Sequence, residues 1–419
     1  MAKLAKYLGL CLAAGGQCTR VAVVSVSAPG RKGGDRDESS VAGISALRSD
    51  GVVVERTRLG ERYKETSDLS VLEECALWIL VLDESATLAS AEKLVKSVKK
   101  TKGAKRVVLS LQTTMRRLAQ LSQAFPDAIV VHGGAGFQVV QDDKGVLRQL
   151  SQGCFFIERL AQEKVSALFA VDVLESTGIQ ALSRRNVQAL KWGSTMLRTF
   201  YYVNALTGQS VHEGLRDRNV RFIFLQALVE IWQLFELVMS SNAARAEAKG
   251  EKKGQAAWEP DSVAATYLPI HSVMVLLPLP NWIFNTLILS IFDFGLADSS
   301  YRGHSVTTLD MNAMLQTSFD DEFRDIFELA EGRSRTLPTL EWLKTTLAAA
   351  AVTVKEERST KGHGSQSQAP DTPSVAIRSG VLLSQVPIAR DTTATSRTFF
   401  LKFSVTIVLT ILLIMYLLS

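Results

Sequence analysis

The chain has 419 residues, and its 47 basic and 42 acidic side chains give a formal net charge of +5. The basic residues alternate with acidic ones and form no stripe with interleaved aromatic rings, which argues against a nucleic-acid partner. The four cysteines lack Cys-x-x-Cys spacing and the histidines form no pair at ligand spacing, so neither a metal site nor a disulfide framework is expected. The length predicts two domains.

The first part of the chain alternates helical and strand-like segments. Glycines end an apolar helix, and several short apolar runs have the composition of buried strands. The expected order is a helix at residues 2–14, strands at 21–26, 51–59 and 76–83, an amphipathic helix at 89–99 and a strand at 106–112. Such an alternation predicts a parallel α/β sheet.

A strand, a bend and a second strand are predicted at residues 128–145, where the sequence ends in an Asp-Lys-Gly turn. We interpret GGAG, at residues 133–136, as the bend. It precedes a strand rather than a helix, so it lacks the context of a phosphate-binding turn. A domain junction follows this region, and the first domain is expected to cover residues 1–160.

Helical periodicity dominates from Ala161 onward, which predicts a second, all-helical domain over residues 161–354. The expected helices include residues 187–207 and 219–239. The Ala, Lys and Glu bias of residues 241–261 predicts a disordered, solvated insertion. Residues 268–298 are apolar enough for a membrane span, but three prolines and two polar side chains favour a buried helical hairpin.

The end of the chain has the composition of a membrane anchor. Residues 399–418 read FFLKFSVTIVLTILLIMYLL, with one charge near the entry, and about 20 apolar residues are needed to cross a bilayer. The polar residues 355–398 before them predict a flexible linker. We therefore expect a single-pass tail anchor with the bulk of the chain facing the cytosol, in the outer mitochondrial or the endoplasmic reticulum membrane.

Five segments carry a family resemblance through most of residues 1–350. They are DGVVVERTRLGERY, VVLSLQ, VVHGGAGFQVVQDDKGVLRQLSQG, KWGSTMLRTFYYVNALTG and LPTLEWL. In order and spacing they resemble the ketopantoate reductases, the NADPH-dependent 2-dehydropantoate 2-reductases. The resemblance implies an α/β Rossmann-like domain followed by an all-α domain of the 6-phosphogluconate-dehydrogenase type.

The glycine-rich turn of a dinucleotide-binding domain is not found where the resemblance places it. In such folds the first strand leads into Gly-x-Gly-x-x-Gly at the start of the first helix. Residues 2–14 and 21–26 match the family's first helix and second strand, so we expect the first strand and the glycine turn to be missing from this sequence. Two explanations stay open: the start of the gene model is truncated, or the cofactor site is lost.

The family's reaction needs a hydride, a proton for the substrate oxygen and a cation for the substrate carboxylate. The resemblance implies a lysine two residues after a tryptophan, with asparagines one and two turns later. Anchored on Trp192, these positions fall on Ser194, Arg198 and Tyr202. Lys191 and Asn204 are the nearby candidates. Since a helix turns about 100° per residue, neither can simply replace the expected residue. A plain surface lysine is the alternative for Lys191.

The remaining candidates also come from the resemblance. Ser305 and Asp310 match the serine and aspartate of a later family segment, whereas the glutamate expected soon after is not in register. Arg31 and Lys32 follow the second strand, where an arginine would hold the 2′-phosphate of NADPH, although a solvated loop is the alternative. Gln112 lies at the family's glutamine position after a buried strand.

Two functions are compatible with these observations. The preferred one is a degenerate, membrane-tethered relative that binds no cofactor and acts as an interaction or scaffold subunit, with a protein partner or a second copy of the chain. The alternative is an active NADPH-dependent 2-keto acid reductase whose N-terminal gene model is truncated.

Overall fold

The fold is described from a computed structural model. The residues described are 2–24, 45–48, 51–81, 94, 106–111, 121, 123–137, 139–141, 145–149, 153–159, 164–184, 187–207, 209–248, 264–265, 268–289 and 319–361.

An α/β half comes first. Its helices are α1 (Ala2–Gly15), α2 (Arg56–Leu59) and α3 (Lys164–Glu175). Its strands are β1 (Val21–Val24), β2 (Ser45–Leu47), β3 (Val53–Glu55), β4 (Tyr63–Thr66), β5 (Leu77–Leu80), β6 (Arg106–Ser110), β7 (Ala128–Ala135), β8 (Val139–Gln141), β9 (Val146–Gln149), β10 (Phe155–Glu158) and β11 (Ala181–Arg184). Two 3₁₀ turns, Gly60–Arg62 and Leu69–Glu74, connect the middle strands.

The main sheet has five strands in the order β11-β10-β7-β6-β5. Strands β5, β6 and β7 are parallel, but β10 runs antiparallel to β7. The expected parallel arrangement is confirmed for β5, β6 and β7, whereas the sheet as a whole is mixed because of β10. Strand β1 pairs in parallel with β4 in a separate ribbon, and β3-β2-β9-β8 form a four-stranded sheet that the sequence did not predict.

Two apolar layers cover the main sheet. Helices α1 and α3 bury one face, where Tyr7, Leu10 and Leu174 lie with alternate residues of β6 such as Leu109. The other face packs Trp78, Val108 and Phe125 together. The alternation of side chains along a strand thus sends Leu109 and Val108 into different layers.

The helical half follows. Its helices are α4 (Val187–Ala205), α5 (Val211–Arg216), α6 (Arg218–Ala248), α7 (Ile270–Leu276), α8 (Asn281–Ile283), α9 (Phe319–Glu331) and α10 (Pro338–Lys361), with a two-stranded ribbon of β12 (Ala264–Ala265) and β13 (Leu268–Pro269) and a π-helical turn at Phe284–Ile288. Helix α6 is central, because α4, α5, α7, α9 and α10 all contact it.

One helix among the described residues has the length and composition of a membrane span, at Arg218–Ser241 in α6. Most of its apolar window, 61%, is buried inside the fold, and its residues form the centre of the helical core. The burial accounts for its apolar sequence. The span predicted at residues 399–418 and the linker from residue 362 onward lie outside the described residues.

Three expected boundaries change. The sheet continues past residue 160, because α3 and β11 pack on the same apolar layer as α1, so the change of architecture comes after Arg184. Helix α6 runs to Ala248, so the first eight residues of the predicted disordered insertion are helical. Helix α10 ends at Lys361, so the predicted linker begins with helix. Charge and alanine content misled the sequence interpretation, since both also suit an exposed helix.

Candidate functional site

Polar side chains lie in one row across three neighbouring strands of the main sheet. Ser110 is opposite His132 in the β6–β7 register. The β7–β10 register pairs Gly133 with Ile157, which places Glu158 opposite His132 at the next position. Residues directly opposite in a sheet point to the same face. These three side chains therefore share the face opposite α1.

Helix α4 contributes the cation of this cluster. It contacts both β7 and β10, and its residue Lys191 is only 1% exposed. The positive charge of Lys191 acts on both His132 and Glu158. The structure thus brings Lys191 together with a histidine and a carboxylate, and the surface-lysine alternative is wrong.

Burial sets the protonation of the cluster. It lowers the pKa of His132 to about 4, and the nearby charge of Lys191 acts in the same direction. Burial raises the pKa of Glu158, although Lys191 and a hydrogen bond from the backbone N–H of His132 oppose the change. His132 is therefore neutral at pH 7, and the Lys191 charge faces a neutral ring and an acid whose negative charge is disfavoured.

Two further hydroxyls border the cluster. The Oγ of Ser110 is buried and makes no hydrogen bond within the described part of the chain, and the same holds for Oγ1 of Thr195, one turn after Lys191. A buried hydroxyl without a partner is costly and is often completed by a bound group or water. Both hydroxyls are thus available to a ligand at this site.

Helical geometry shows that Lys191 lies on nearly the same helix face as Ser194, where the resemblance places the family's lysine. It lies three residues before Ser194, and three residues correspond to about 300°, which leaves the two positions only about 60° apart on the helix. Residues three apart share a helix face. A lysine at residue 191 can therefore reach toward the same region as one at 194, contrary to the expectation from register alone.

Asn204 has a different place. It lies 13 residues after Lys191, about 20 Å further along α4. Its Nδ2 donates to the carbonyl of Gln209 at 3.0 Å, and its own carbonyl accepts from Thr207. A Cβ at Gly214 would lie 1.9 Å from its Oδ1, so Gly214 is needed for this close approach. Asn204 holds the turn between α4 and α5, and the structure does not bring it to Lys191.

Arg198 and Tyr202 occupy the two positions at which the resemblance places asparagines, and both side chains bind the carboxylate of Glu322. Arg198 forms an ion pair with Glu322 of α9 at 2.5 Å, and the Tyr202 hydroxyl donates to the same carboxylate. The Glu322 side chain is only 8% exposed. These contacts join α4 to α9, two to three helical turns after Lys191.

The remaining predicted catalytic and cofactor-binding residues lie outside the described residues. They are Ser305, Asp310, Arg31, Lys32 and Gln112.

The GGAG segment is not the bend that the sequence suggested at its start. Gly133 and Gly134 continue β7, and the chain leaves the strand at Gly136. A Cβ at Gly134 would lie 2.3 Å from the Phe156 ring, and one at Gly133 would lie 2.7 Å from the Phe156 carbonyl oxygen. These glycines allow β10 to pack closely and form no open cradle for a phosphate.

Sequence reasoning missed His132, Glu158 and Ser110. His132 was considered only as a metal ligand, and Glu158 lies at the end of a strand near the expected domain junction. Ser110 gave a usable signal, because it ends an apolar parallel strand, and ligands bind at the carboxyl ends of such strands. The row itself depends on strand register, which the sequence does not specify.

Comparisons with known proteins agree on the fold. A PanE/ApbA family ketopantoate reductase from Ralstonia eutropha JMP134 is 15% identical with a TM-score of 0.53, and the match covers 83% of this chain and 95% of that one. A 2-dehydropantoate 2-reductase from Geobacter metallireducens GS-15 is 15% identical with a TM-score of 0.55 over 83% and 96%. A ternary structure of D-mandelate dehydrogenase with NADH is 13% identical with a TM-score of 0.54 over 84% and 96%.

No protein-family profile matches the chain, and no curated protein sequence matches it. The solved structures thus establish the ketopantoate reductase fold, a Rossmann-like domain followed by a helical domain.

Proposed function

We propose that this chain is an NAD(P)H-dependent reductase of a 2-keto acid. One observation carries the proposal: Lys191 is buried beside His132 and Glu158, where the helical half meets the main sheet. A buried lysine is rare, and a cluster of titratable groups with shifted pKa values marks candidate functional sites. The fold shared with ketopantoate reductases and D-mandelate dehydrogenase supports this class of reaction.

Each residue of the cluster has a proposed role. Lys191 binds the carboxylate or the keto oxygen of the substrate and supplies the proton that the new hydroxyl needs. Neutral His132 orients that oxygen through a hydrogen bond. Glu158 holds the backbone of His132 in place and offsets part of the Lys191 charge. The Ser110 and Thr195 hydroxyls offer further hydrogen bonds to the substrate.

The cofactor fits the described residues only in part. NAD(P)H supplies the hydride when bound. Ser110 at the carboxyl end of β6 and His132 opposite it on β7 offer polar groups, but the described residues contain no glycine-rich turn for the pyrophosphate. Arg31, Lys32 and Gln112 remain the proposed residues for the cofactor, with NADPH as the preferred form because of the two cations.

A second candidate is a catalytically degenerate scaffold subunit. The observation that favours it is the Arg198–Glu322–Tyr202 contact, which occupies positions where the family resemblance implies asparagines. Under this proposal the fold is retained for a protein partner, and neither NADPH nor NADH binds.

A single set of measurements separates the two candidates. The full-length protein as produced by its source is purified in detergent, and NADPH binding is followed by fluorescence quenching and turnover by absorbance with ketopantoate and other 2-keto acids. The reductase proposal expects binding and a fall in kcat/KM of at least about 100-fold for Lys191→Ala. Lys344→Ala is the matched control, because Lys344 is half exposed and pairs with Asp320 on the surface.

The outcomes are distinct. A folded protein that neither binds NADPH at micromolar concentration nor reduces any 2-keto acid contradicts the reductase and supports the scaffold. Equal activity of Lys191→Ala and Lys344→Ala would show that Lys191 is not part of the active site.

We also propose that residues 399–418 anchor the protein in an outer mitochondrial or endoplasmic reticulum membrane, with the two folded halves in the cytosol. The length and composition of the segment support this proposal.

A further inference from the structure

Two large apolar side chains are exposed in the segment that follows α7. Trp282 is 73% exposed and Leu287 is 57% exposed, although most of α7 itself lies in the core of the helical half. A buried helical hairpin was expected for residues 268–298, and the structure buries only part of the apolar side chains described there. Large apolar side chains that are exposed together mark interaction sites.

The π-helical turn at Phe284–Ile288 brings these two side chains toward one side. In an α-helix, residues five apart differ by about 140° in direction, since each residue turns about 100°. In the π-turn the N–H of Leu289 bonds to the carbonyl of Phe284, so five residues come closer to one complete turn. We call the exposed side chains of this stretch the Trp282 face; they are Pro280, Trp282, Asn285, Thr286 and Leu287.

Arg221 fixes the Trp282 face on the fold. Its guanidinium donates to the carbonyl of Leu279 and to Oδ1 of Asn281, both at 2.9 Å. It also lies 4.0 Å from the centroid of the Phe284 ring. These contacts lie on both sides of Trp282 in the chain. The face is therefore held in place before anything binds to it, which lowers the entropic cost of an interaction.

The Trp282 face carries no charged side chain. Residues 268–289 contain no aspartate, glutamate, lysine or arginine. The polar side chains of the face are those of Asn285 and Thr286, which are uncharged. Contact of this face with an apolar medium therefore removes no charge from water, which would be costly.

Two exposed arginines lie at the edge of the face. Arg221 also donates to the last two carbonyls of α5, at 2.6 and 3.1 Å, so the start of α6 adjoins the Trp282 face. The side chains of Arg216 and Arg218 are exposed there. The neighbouring acids, Glu213 and Asp217, accept hydrogen bonds from nearby N–H groups of their own segments. An apolar face bordered by cations is typical of a surface that contacts lipid headgroups.

The size of the face favours a membrane over a second protein. A stable protein interface takes about 20–30 residues from each partner, whereas the Trp282 face consists of the few side chains named above. Tryptophan is enriched at the bilayer interface, where its ring lies at the level of the headgroups. The chain also ends in residues 399–418, which have the composition of a membrane span.

We propose that the Trp282 face rests on the bilayer that holds residues 399–418, with the Trp282 and Leu287 side chains among the lipid headgroups. A flexible chain with the length of residues 362–398 reaches on the order of 35 Å. Such a tether makes a weak surface contact effective, because it supplies a high local concentration. The inference is independent of the reductase proposal and rests on the proposed anchor.

The first test measures tryptophan fluorescence of the full-length protein in phosphatidylcholine vesicles, with ordinary or brominated acyl chains. Bromine quenches tryptophan on contact, and residues 399–418 contain no tryptophan, so quenching reports on the rest of the chain. The Trp282 emission is the difference between the wild type and Trp282→Phe. Brominated lipid is expected to remove most of this difference. Trp342→Phe, at a half-buried position on α10, is the matched control and should keep the bromine-sensitive emission.

The second test places a charge on the face. Leu287→Glu is expected to lift the face from the bilayer, because the carboxylate stays in water, so the Trp282 emission becomes insensitive to bromine while the protein stays on the vesicles. Leu237→Glu is the matched control. Leu237 is also exposed, but it lies about 24 Å along α6 from Arg221, and its variant should keep the quenching.

Flotation of the vesicles separates the face from the anchor. A protein that floats with the vesicles, but whose Trp282 emission is equal in both lipids, overturns the proposal and leaves the anchor intact. A protein that does not float overturns both. Bromine-insensitive Trp282 emission that shifts to shorter wavelength as the protein concentration rises assigns the face to a second copy of the chain, which also overturns the proposal.

Discussion

Buried charged side chains in the helical half bind backbone groups of other segments. Glu230, on the central helix α6, accepts hydrogen bonds from the backbone N–H groups of Thr339 and Leu340 at 2.7 and 3.2 Å. These groups belong to the first turn of α10, so a long-range carboxylate caps that helix. Burial raises the pKa of Glu230 to about 7 despite these bonds, and the charge of Glu341 acts in the same direction.

The first prediction concerns pH. Because the folded pKa of Glu230 is raised, its contribution to stability is present at low pH and is lost as the pH rises from about 4.5 through 7. The free energy of unfolding of the wild type should fall between pH 5 and pH 8, relative to Glu230→Gln, by up to about 3 kcal/mol. Urea denaturation at several pH values measures the difference.

Glu236→Gln is the matched control for this prediction, since Glu236 lies on the same helix and is exposed. Its pH profile should follow the wild type. Parallel profiles for Glu230→Gln and the wild type would contradict a raised pKa at Glu230.

Arg221 is a buried cation that binds backbone carbonyls, as Glu230 binds backbone N–H groups. It is fully buried and donates to the carbonyls of Leu215, Leu277 and Leu279, among others, at 2.6–2.9 Å. Its guanidinium also lies 4.0 Å from the centroid of the Phe284 ring. Burial lowers its pKa to about 10. One side chain thus fixes the start of α6 against the turn between α7 and α8.

The second prediction is that Arg221→Met destabilises the protein by at least about 3 kcal/mol, because several buried carbonyls lose a charged donor at once. Arg221→Lys should recover only part of the loss, since an ammonium cannot form the same fork of hydrogen bonds. Arg218→Met, one turn earlier on the exposed start of α6, is the control. A loss below 1 kcal/mol for Arg221→Met, measured by urea denaturation, would show that the carbonyls find other partners.

At the scale of elements, sequence patterns predicted local structure well and pairing poorly. The helix at residues 2–14 and the strands near residues 21, 77 and 106 are confirmed, because each carries its own apolar pattern and end signal. The antiparallel β10 and the sheet β3-β2-β9-β8 were not predicted. Their strands have only three or four residues, and the sheet forms only because β2 of one local hairpin pairs with β9 of another, Ser45 lying opposite Val146.

The residues of the candidate site were likewise predictable only where they depend on local sequence and not on strand pairing. Lys191 could be proposed because the family resemblance is anchored on the neighbouring Trp192, although the lysine expected from it falls three residues later, on Ser194. His132 and Glu158 could not, because they meet only through the β7–β10 register and the packing of α4 on both strands. Register is set by distant contacts, whereas a helix face is set by residues three and four apart.

At the scale of the whole molecule, we expect membrane attachment and the proposed reductase site to be independent of each other. If residues 399–418 span a membrane, deleting residues 399–419 should release a protein whose folded halves and NADPH binding are unchanged. A single charge in the middle of the span should act in the same direction. An arginine at a helix centre costs about 2.5–3.5 kcal/mol of insertion free energy, or roughly a 100-fold change in partition.

The third prediction is therefore that Leu409→Arg moves the protein from the membrane to the soluble fraction, as measured by carbonate extraction and by imaging with an N-terminal fluorescent tag. Leu382→Arg, in the predicted linker, introduces the same charge outside the span and should leave the protein on the membrane. Membrane retention of the Leu409→Arg protein and of the deletion would place the attachment elsewhere in the chain. If release also abolishes function while reductase activity in solution is intact, then location is a requirement separate from the chemistry at Lys191.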